Sequence, residues 1–427
     1  MTSDTTRDCF IYITLPGTTA PVAAGRYALI GDHRRDMEGR FVYAKSYLER
    51  ADAVALDPIE LTLSTQTYVT SAMGGIFGAL RDASPDFWGR KLIEHVMGSV
   101  HLNEMEYLLN APDDRAGALG CGRNQTPPAP KRHFNQTLDL AALQETADAI
   151  AAREVIPGAA GETQIERLIN AGTSMGGARP KAVVEDDGAL WLAKFNLEDD
   201  RWNSARVEHA MLLLARVCGL NTAHSRVVDV AGRDVLLVKR FDREQTPDGY
   251  LRARMISALT LLRTEDTYQV RDRWSYSLLA AELRKVCAAP AENAKELFRR
   301  MTFNALISNT DDHPRNHALL ARAQDWMLSP AYDLTPTAPV STERRDLALI
   351  CGTAGRIANA ENLLSQCGQF LLERDEAAAM IEAMEQIVRN RWHAVARSAG
   401  VTDTDCGHIA KAFVYPGFRM TTALPAL

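Results

Sequence analysis

Apolar residues in the first third of the chain come in short runs separated by turn residues, a pattern typical of β-strands. The runs predict strands at Phe10–Leu15 and Gly25–Ile30, followed by helices around Gly74–Leu80 and Phe87–Val96. Three prolines then fall within residues 127–130, where they favour an extended connector over a helix or a central strand. We therefore expect a mixed α+β segment at residues 1–123, which ends before this connector.

Residues 131–241 combine helical spacing with two strand pairs. The predicted elements are a helix from Thr137 to Ile150, a hairpin of Ala182–Val184 and Leu190–Phe195, a helix at Ala205–Cys218, and a strand pair at Ser225–Val230 and Val235–Arg240. Asp187–Gly188 supplies a strong hairpin turn, and Gly219 is well placed to end the second helix. Together these elements predict a lobe that contains both strands and helices.

The remaining residues, 242–427, carry apolar side chains mainly at helical spacing. The predicted helices are Trp274–Cys287, Ala294–Ile307, Glu361–Leu372 and Glu376–Ala396. A strand-rich segment followed by a helix-rich one is compatible with a two-lobed enzyme. The expected fold class is α/β (α+β), with an N-terminal α+β subdomain (1–123), a strand-containing lobe (131–241) and a mostly helical C-terminal lobe (242–427).

Bulk composition places the chain among globular proteins. Hydrophobic residues make up 46% and charged residues 24% of its 427 positions. The sequence has no run of about eighteen apolar residues, the length that a membrane-spanning helix requires. The polar stretch Met1–Asp8 lacks the basic start and apolar core of a secretory signal. We therefore expect a cytoplasmic protein without a membrane span.

Charge balance argues against a protein that binds DNA by itself, and cysteine spacing argues against a zinc-binding or disulfide-stabilised protein. The net charge is −6, from 48 basic and 54 acidic residues, so the chain lacks the basic surplus usual in proteins that bind DNA unaided. A local basic patch or a DNA-binding partner stays compatible with this balance. The seven cysteines show no Cys-x-x-Cys or Cys/His ligand spacing, which argues against a zinc site or a disulfide framework and favours reduced thiols.

Two segments carry residues suited to binding nucleotide phosphates. Thr173–Lys181 contains small residues that let backbone N–H groups approach phosphate oxygens, although such a segment alone is more often an ordinary loop. Lys194 lies inside an apolar strand, where an inward ammonium would need an anion such as phosphate and an outward one would be solvated. Glu208, in the following helix, either pairs with that lysine, as a comparable glutamate does in protein kinases, or lies on a solvated face.

The sharpest chemical signal is the string Asn309–His317. Asp311 and Asn316 stand five positions apart, the spacing of the base and the metal-binding asparagine in the kinase loop HRDxxxxN. One short loop can thereby bring a carboxylate to a substrate hydroxyl and an amide oxygen to Mg²⁺. Asp333 ends a later apolar run, at the place of the second metal-binding residue of kinases. A polar turn explains any one of these residues, but not the whole series.

Motif by motif, the sequence resembles the HipA family of toxin kinases from type II toxin–antitoxin modules, over most of its length. The matching segments are Phe41–Tyr43, Tyr47–Leu48, Phe87–Arg90, Asp114–Leu119, the phosphate loop Ser174–Lys181, Lys194, the hinge Val238–Arg243, the loop Asn309–Asn316, and Pro330–Asp333. The departures are Lys239 for a common glutamate, Arg315 for a usual lysine, and Pro314, which stiffens the loop. None of them removes a group that phosphoryl transfer needs.

The resemblance implies a serine/threonine protein kinase with a two-lobed, protein-kinase-like fold that uses ATP and Mg²⁺. Asp311 would accept the proton of the substrate hydroxyl, and Asn316 and Asp333 would hold the metal. The implied ATP-binding residues are Gly176, Gly177, Ala178, Arg179, Pro180, Lys181, Lys194, Lys239, Arg240, Phe241, His313, Arg315, Asn316, Tyr332 and Asp333. The backbone between Lys239 and Phe241 would meet adenine. Ser174 falls where family members autophosphorylate, an event that expels the phosphate loop and silences the enzyme.

The resemblance also implies partners. Family targets are often aminoacyl-tRNA synthetases, whose phosphorylation halts tRNA charging and causes growth arrest or persistence. The family partner is a small helix-turn-helix antitoxin, HipB-like, that binds operator DNA, which agrees with the missing basic surplus. Two alternatives stay open. One is a catalytically silent member of a repressor complex, against which the intact Lys194, Asp311, Asn316 and Asp333 argue; the other is a kinase for a small molecule, on which the motifs are silent.

Overall fold

The structure of the protein is a computed structural model that describes residues 7–31, 37–100, 102–131, 134–136, 139–151, 179–197, 199–337 and 341–420. The chain divides into two compact units. The first comprises Met1–Phe195, Lys239–Thr260 and Leu320–Asp325, and the second comprises Asn196–Val238, Leu261–Leu319 and Trp326–Leu427. The predicted boundaries at residues 123, 131 and 241 stay a prediction.

The first unit begins with a five-stranded antiparallel sheet. Its strands are β1 (Arg7–Thr14), β2 (Pro21–Ile30), β3 (Glu38–Tyr43), β4 (Tyr68–Thr70) and β5 (Leu119–Gly122). They lie in the order β4-β3-β2-β1-β5, so β1 pairs with β5 although the two are far apart in sequence. β1 and β2 confirm the two predicted strands, and their Ile11, Ile13 and Tyr27 are fully buried.

Short helices lie between the strands of this sheet. They are α1 (Lys45–Leu48), α2 (Gly78–Asp82), α3 (Phe87–Met97) and α4 (Glu104–Asn110). Asp86 caps α3 by accepting a hydrogen bond from the backbone N–H of Gly89 at 2.8 Å, and α3 confirms its prediction. The helix predicted around Gly74–Leu80 is divided instead, because Gly74 and Gly75 both adopt positive φ and interrupt it before α2.

A helix and a hairpin follow in the first unit. The elements are β6 (Asn135–Gln136), α5 (Leu140–Ala151), β7 (Lys181–Asp186) and β8 (Ala189–Phe195). β7 pairs with β8 in antiparallel and with β6 in parallel orientation. Asp187 and Gly188 both have positive φ, as a two-residue primed turn requires, so the predicted hairpin is confirmed. The predicted helix start at Thr137 lies outside the described residues.

The chain continues with helix α6 (Ser204–Val217) and the hairpin of β9 (Ser225–Val230) and β10 (Arg233–Lys239). Gly219, with a φ of 84°, lies just past the end of α6, where a left-handed residue lets the chain leave the helix. Ala231 and Gly232 form the positive-φ turn between the two strands. The helix and the strand pair confirm the predictions for this region.

Three short strands and a one-turn helix lead into the helical part. They are β11 (Arg243–Thr246), β12 (Gly249–Arg252), β13 (Arg254–Ser257) and α7 (Ala258–Leu261). The elements that follow are α8 (Tyr276–Val286), α9 (Pro290–Ile307), β14 (Ala318–Ala321), β15 (Met327–Leu328), α10 (Ala360–Leu364), α11 (Arg374–Ser398) and α12 (Asp403–Ile409). α9 is a core helix of the second unit, since Leu297, Met301 and Leu306 are fully buried.

The prediction of a continuous helix at Glu361–Leu372 is wrong beyond Leu364, where α10 ends. The chain enters a separate 3-10 turn at Cys367–Phe370. Ser365 explains the break, because its hydroxyl donates to the carbonyl of Asn362 at 2.6 Å and competes with helical bonding. Within the described part of the chain, no helix combines the length and the apolar character that a membrane span requires.

Candidate active site

The loop that follows α9 is built around a tight backbone reversal. α9 ends at Ile307, and Ser308 adopts a left-handed conformation with a φ of 55°. A 3-10 turn, Pro314–Asn316, comes next. His313 caps this turn, because its Nδ1 accepts a hydrogen bond from the backbone N–H of Arg315 at 3.2 Å. The loop therefore has an ordered backbone that can hold its side chains in fixed directions.

Asn316 is held in one orientation by the backbone of Asp311. Its Nδ2 donates to the Asp311 carbonyl at 3.3 Å, and the N–H of His313 donates to the same carbonyl at 2.8 Å. Because the amide nitrogen is used in this way, the amide oxygen Oδ1 points away as an acceptor. An oxygen with a fixed direction is a suitable ligand for Mg²⁺, which prefers oxygen donors.

Asp311 lies in a strongly negative environment. The residue is exposed, yet its carboxyl group is partly shielded, and this shielding raises its pKa above the usual value. His313 opposes the shift, whereas the carboxylates of Asp333, Asp312 and Asp266 add to it. The carboxylate of Asp333 is therefore one of the negative charges that act on Asp311. Such a group of like charges attracts cations and gives a carboxylate a stronger hold on a proton.

Buried polar side chains to which the sequence analysis assigned no role anchor this loop. Asp312 is 1% exposed; its Oδ2 accepts from the Tyr276 hydroxyl and lies 2.9 Å from Nε2 of His317. Burial and the Asp312 carboxylate raise the pKa of Tyr276, so its phenol keeps its proton and donates. Asn304 donates to that phenol oxygen at 3.2 Å and accepts from Asn309 at 3.1 Å. These bonds connect the loop after α9 to α8 and α9.

Asp333 belongs to the same arrangement within the second unit. Its φ is 59°, a left-handed conformation that costs a non-glycine residue about 1–2 kcal/mol. Asn309 Nδ2 lies 3.5 Å from the Asp333 carbonyl, and the Tyr332 hydroxyl donates to the Arg315 carbonyl at 2.6 Å. These contacts hold the strained residue beside the loop. Strain that the surroundings maintain is typical of functional positions.

His313 and Arg315, which were predicted to line the nucleotide site, both have partners inside the protein. The His313 ring caps the 3-10 turn. Arg315 donates through Nε to Oδ2 of Asp266 at 2.6 Å. These contacts fix the two side chains, and their predicted contact with a nucleotide stays a prediction.

Two lysines of the first unit lie side by side on the hairpin. Lys181 on β7 pairs directly with Lys194 on β8, so both side chains project from the same face. Lys181 is 1% exposed, and its Nζ lies 2.9 Å from Oδ2 of Asp86, the residue that caps α3. Lys194 is half-buried, and Glu208 of α6 is buried. The ammonium of Lys181 is thus bound to a carboxylate, and the roles of both lysines toward phosphate stay predictions.

The phosphate loop is described only at its C-terminal end. Ser174, Gly176, Gly177 and Ala178 lie outside the described residues. The guanidinium of Arg179 donates to the Phe195 carbonyl at 3.3 Å, and the Pro180 carbonyl accepts from the Phe195 N–H at 3.2 Å. The end of this loop is therefore fixed to the last residue of β8.

The hinge segment Val238–Arg243 is locked by a buried ionic network. The guanidinium of Arg240 donates to Asp114, to both oxygens of Asp242 at 3.0 and 2.9 Å, and to the Arg115 carbonyl at 2.8 Å. The backbone N–H of Arg240 donates to Leu190 at 2.8 Å. These contacts give Arg240 a structural role.

A second arginine completes this hinge network. Arg243 donates to Asp242 at 2.6 Å and to the Gly117 carbonyl at 2.9 Å, and the Gly117 N–H donates back to Asp242 at 2.9 Å. Burial alone would raise the pKa of Asp242, but Arg240 and Arg243 outweigh it and hold that pKa well below its usual range. The same two arginines lower the pKa of Asp114, again against the effect of burial. Two motifs far apart in sequence, Asp114–Leu119 and Val238–Arg243, are thus joined into one ionic cluster.

The other residues predicted to contact adenine lie beside this network. Lys239 is exposed and Phe241 is half-buried. The Phe241 carbonyl accepts from Arg322 at 2.7 Å. The predicted contacts of Lys239, Arg240 and Phe241 with adenine stay predictions.

Asn316 and Asp333 offer an amide oxygen and a carboxylate, which are donor types that Mg²⁺ accepts, and their role as its ligands stays a prediction. Across the part of the chain that the structure describes, no group of three or more His, Cys, Asp or Glu side chains could hold a metal ion. Mg²⁺ in phosphoryl-transfer enzymes needs only one or two protein oxygens, because waters and substrate phosphates complete its shell. One amide oxygen and one carboxylate are therefore a sufficient protein contribution.

Comparison with known proteins points to one family. A family model described as HipA-like C-terminal domain matches residues 173–392, more than half of the chain. The chain is 25% identical over 335 residues to Y4mE of Sinorhizobium fredii, a protein that is named as a kinase. The match covers 72% of this chain and 75% of that protein. It is 25% identical over 142 residues to the serine/threonine-protein kinase toxin HipA of Shewanella oneidensis, over 30% of this chain and 33% of that protein.

A solved structure agrees with these matches. A chain from the complex of the Shewanella oneidensis MR-1 toxin–antitoxin system HipA, HipB and its operator DNA has a TM-score of 0.68 to this structure. The identity is 18%, and the match covers 95% of this chain and 94% of that chain. This likeness confirms the predicted kinase-like α+β fold. Since the family model spans more than half of its sequence, the chain belongs to the HipA family.

Proposed function

We propose that this protein is a serine/threonine kinase that transfers the γ-phosphate of ATP to a hydroxyl of a target protein. One observation supports the proposal above all others. The loop after α9 fixes the amide of Asn316 through the Asp311 carbonyl, and the carboxylate of Asp333 is among the negative charges that raise the pKa of Asp311. A base, an amide oxygen and a second metal-binding carboxylate are the groups that kinases use for this reaction.

Each of these groups has a role in the proposed reaction. Asp311 orients the substrate hydroxyl and accepts its proton as the oxygen attacks phosphorus. The raised pKa of Asp311 agrees with this role, because a carboxylate that binds a proton more tightly is a better base. Asn316 and Asp333 would hold Mg²⁺, which, when bound, offsets the negative charge of the phosphoryl group. By resemblance to the family, Lys194 is proposed to bind the phosphates of ATP and Lys239–Phe241 its adenine.

We further propose the regulation and the partners that the family implies. Ser174, in the phosphate loop, is proposed as the autophosphorylation site and an aminoacyl-tRNA synthetase as the target class. A HipB-like helix-turn-helix antitoxin is proposed as the partner that supplies most DNA contacts. The net charge of −6 supports this division of labour, as does the similarity to a HipA structure that was solved with HipB and operator DNA.

Intact-mass and peptide mass spectrometry of the protein after incubation with ATP and Mg²⁺ tests the kinase proposal. We expect a gain of phosphate at Ser174, and a rate at least ~10²-fold lower for Asp311→Asn, which loses the base. Asp311 is exposed and has like-charged neighbours, so the variant should unfold at the same temperature as wild type or slightly above it. Calorimetry should show that the variant still binds ATP.

Other outcomes distinguish the alternatives. Phosphorylation by Asp311→Asn at the wild-type rate would refute the role of Asp311. No phosphate together with no ATP binding would favour the silent member of a repressor complex. Phosphate at a residue other than Ser174 would support the kinase and overturn the regulatory assignment.

A further inference from the structure

An aromatic ring and two arginines, Tyr268, Arg271 and Arg356, form a surface of the second unit that we call the arginine–tyrosine surface. Two of them belong to a 3-10 turn, Tyr268–Arg273, between α7 and α8. Tyr268 is 82% exposed, the largest exposed fraction among the large apolar side chains that the structure describes. The guanidinium of Arg271 lies 5.2 Å from the centroid of the Tyr268 ring. The turn therefore presents an aromatic ring to solvent and holds a cation against it.

The base of this surface is fixed by buried groups. Trp274, which ends the turn, is 5% exposed, and its backbone N–H donates to the Arg271 carbonyl at 3.0 Å. Its indole N–H donates to the Glu265 carbonyl at 3.2 Å, and its own carbonyl accepts from the N–H of Ile350 at 2.8 Å. Tyr and Arg side chains on a rigid base are enriched among the residues that dominate binding energy at protein interfaces.

Arg356 brings a second positive charge to Arg271. Both donate through Nε to the carbonyl of Ala348, Arg271 at 3.4 Å and Arg356 at 3.2 Å, and Nη2 of Arg356 donates to the Arg271 carbonyl at 2.6 Å. Burial and the charge of Arg271 lower the pKa of Arg356, because the two cations repel each other. Among the described residues, neither guanidinium forms an ion pair with a carboxylate. Two guanidinium groups that share one carbonyl in this way are suited to binding an anion.

The carboxylates that act on Arg356 leave this anion site open. They are those of Asp272 and Asp346. Asp346 is engaged elsewhere, since its two oxygens accept from Arg344 at 3.0 Å each. Asp272 is exposed, so water and salt screen its charge.

The segment that carries the surface also contacts the loop after α9. Asp266, two residues before the turn, accepts from Nε of Arg315 at 2.6 Å, and Arg315 belongs to the loop that contains Asp311. A molecule bound on this segment would therefore be close to the loop that carries the proposed base.

We propose that the arginine–tyrosine surface binds an acidic segment of the target protein and so helps to bring its hydroxyl to the loop after α9; this second role rests on the proposed kinase function. Carboxylates of the segment accept charge-assisted hydrogen bonds from Arg271 and Arg356, and an apolar side chain packs on the ring of Tyr268. Charge patterns of this kind are among the features by which kinases select their substrates.

A protein segment fits this surface better than a nucleic acid does. Asp266 and Asp272 lie on the same segment as Tyr268 and Arg271, and they would repel a continuous phosphate backbone. Separate carboxylates on a flexible chain can contact the arginines and avoid these acids. The net charge of −6 also opposes binding to a polyanion.

Fluorescence anisotropy of labelled peptides titrated with the full-length protein tests the proposal. Three peptides each contain one serine and one leucine and differ only in the flanking residues, which are glutamate, glutamine or lysine. Wild type should bind the glutamate peptide about tenfold more tightly than the glutamine peptide, and the lysine peptide most weakly. The preference should shrink as salt is raised from about 50 to about 300 mM, since salt screens exposed charges. These measurements do not depend on the folding of a variant.

Variants assign the two parts of the surface. Arg271→Gln and Arg356→Gln each keep a donor for the Ala348 carbonyl but lose the charge, and each should reduce the preference for glutamate over glutamine to less than about threefold. Tyr268→Ala should weaken the binding of all three peptides and keep the preference, because both charges remain. Its folding is not at risk, since the ring is 82% exposed.

The matched control is Arg389→Gln on α11. This arginine is also half-exposed and in the second unit, where it pairs with Glu385 at 2.7 Å, and its replacement changes the net charge by the same amount. We expect wild-type affinities for all three peptides.

Equal affinity of wild type for the glutamate and glutamine peptides, or a full preference in both arginine variants, would overturn the surface. Tighter binding of a single-stranded oligonucleotide of the same length would replace the protein segment by a nucleic acid. If wild type phosphorylates itself but phosphorylates the glutamate peptide no faster than the glutamine peptide, the role in delivering the hydroxyl is wrong. Selective binding of the glutamate peptide without phosphate on protein or peptide would support the surface and contradict the kinase proposal instead.

Discussion

The hinge network and the loop after α9 use carboxylates in opposite ways. At the hinge, Asp114 and Asp242 are buried against Arg240 and Arg243, and the arginines lower the pKa of both aspartates. In the loop, Asp311 is exposed, and neighbouring carboxylates help to raise its pKa. A buried charge depends on its partner, so that removal of either one destabilises the fold, whereas exposed charge among like charges is available for chemistry. Pairing and burial therefore separate the structural from the chemical members of these motifs.

Removing one charge from the hinge network should give the largest effect on stability. Asp242→Asn leaves two buried guanidinium groups facing a single aspartate and should lower the free energy of unfolding by about 3–5 kcal/mol. Urea denaturation followed by circular dichroism measures this loss. The matched control is Glu244→Gln on β11, whose carboxylate is exposed and 3.6 Å from Arg322; we expect a change within about 0.5 kcal/mol. A loss below about 1 kcal/mol in Asp242→Asn would show that the network is not structural.

Removing the side-chain amide of Asn316 should affect phosphoryl transfer more than the stability of the fold. Asn316→Ala loses one hydrogen bond, to the Asp311 carbonyl, and should lower the free energy of unfolding by only about 1 kcal/mol. The Mg²⁺ concentration for half-maximal phosphorylation should rise by about 10–100-fold, since a metal contact is lost. Titration of Mg²⁺ at saturating ATP measures this shift. Thr310→Ala, in the same loop, is the control and should leave the requirement unchanged. An unaltered Mg²⁺ requirement in Asn316→Ala would remove Asn316 from the metal site.

Local sequence patterns predicted much of the fold. The Asp187–Gly188 turn, the strand pair around Gly232 and the end of α6 at Gly219 depend on neighbours in sequence, and each is found as expected. The break after α10 was missed because it depends on one hydroxyl of Ser365, which competes for a backbone carbonyl. Amphipathic spacing carries no information about such competition.

The sequence predicted which residues of the candidate site share one loop, from their spacing, but it did not predict how their side chains are oriented. Asp311 and Asn316 are close in sequence, so their pairing in one loop was visible, but the direction of the Asn316 amide was not. Asp312 offered one signal, a second acid beside Asp311, yet its partner Tyr276 lies 36 positions away. Asp86 and Lys181 are 95 positions apart. A single sequence does not reveal which distant polar residues satisfy one another when they are buried.

Acidification should give the smallest of the expected effects on the free energy of unfolding. The sign of that effect should differ between the hinge aspartates and Asp311. An unfolded aspartate has a pKa of about 3.9, and those of Asp114 and Asp242 lie below this in the folded protein. The stability that these two ionised carboxylates give the folded protein is therefore complete above about pH 5. It is lost as the pH falls through their pKa values in the folded protein, because the unfolded chain binds protons first. The raised pKa of Asp311 acts oppositely, since its protonation favours the folded state.

Free energies of unfolding measured from about pH 6 to pH 3 test this difference in sign. Wild type should lose stability below about pH 4, whereas Asp242→Asn should lose less, because one of the two carboxylates with a lowered pKa is absent. Asp311→Asn should lose more than wild type over the same range, because the compensating protonation of Asp311 is absent. Parallel curves for the three proteins would mean that the acid sensitivity arises elsewhere. Divergence in opposite directions would show that the hinge aspartate and the loop aspartate differ in their environment, although the two are chemically identical.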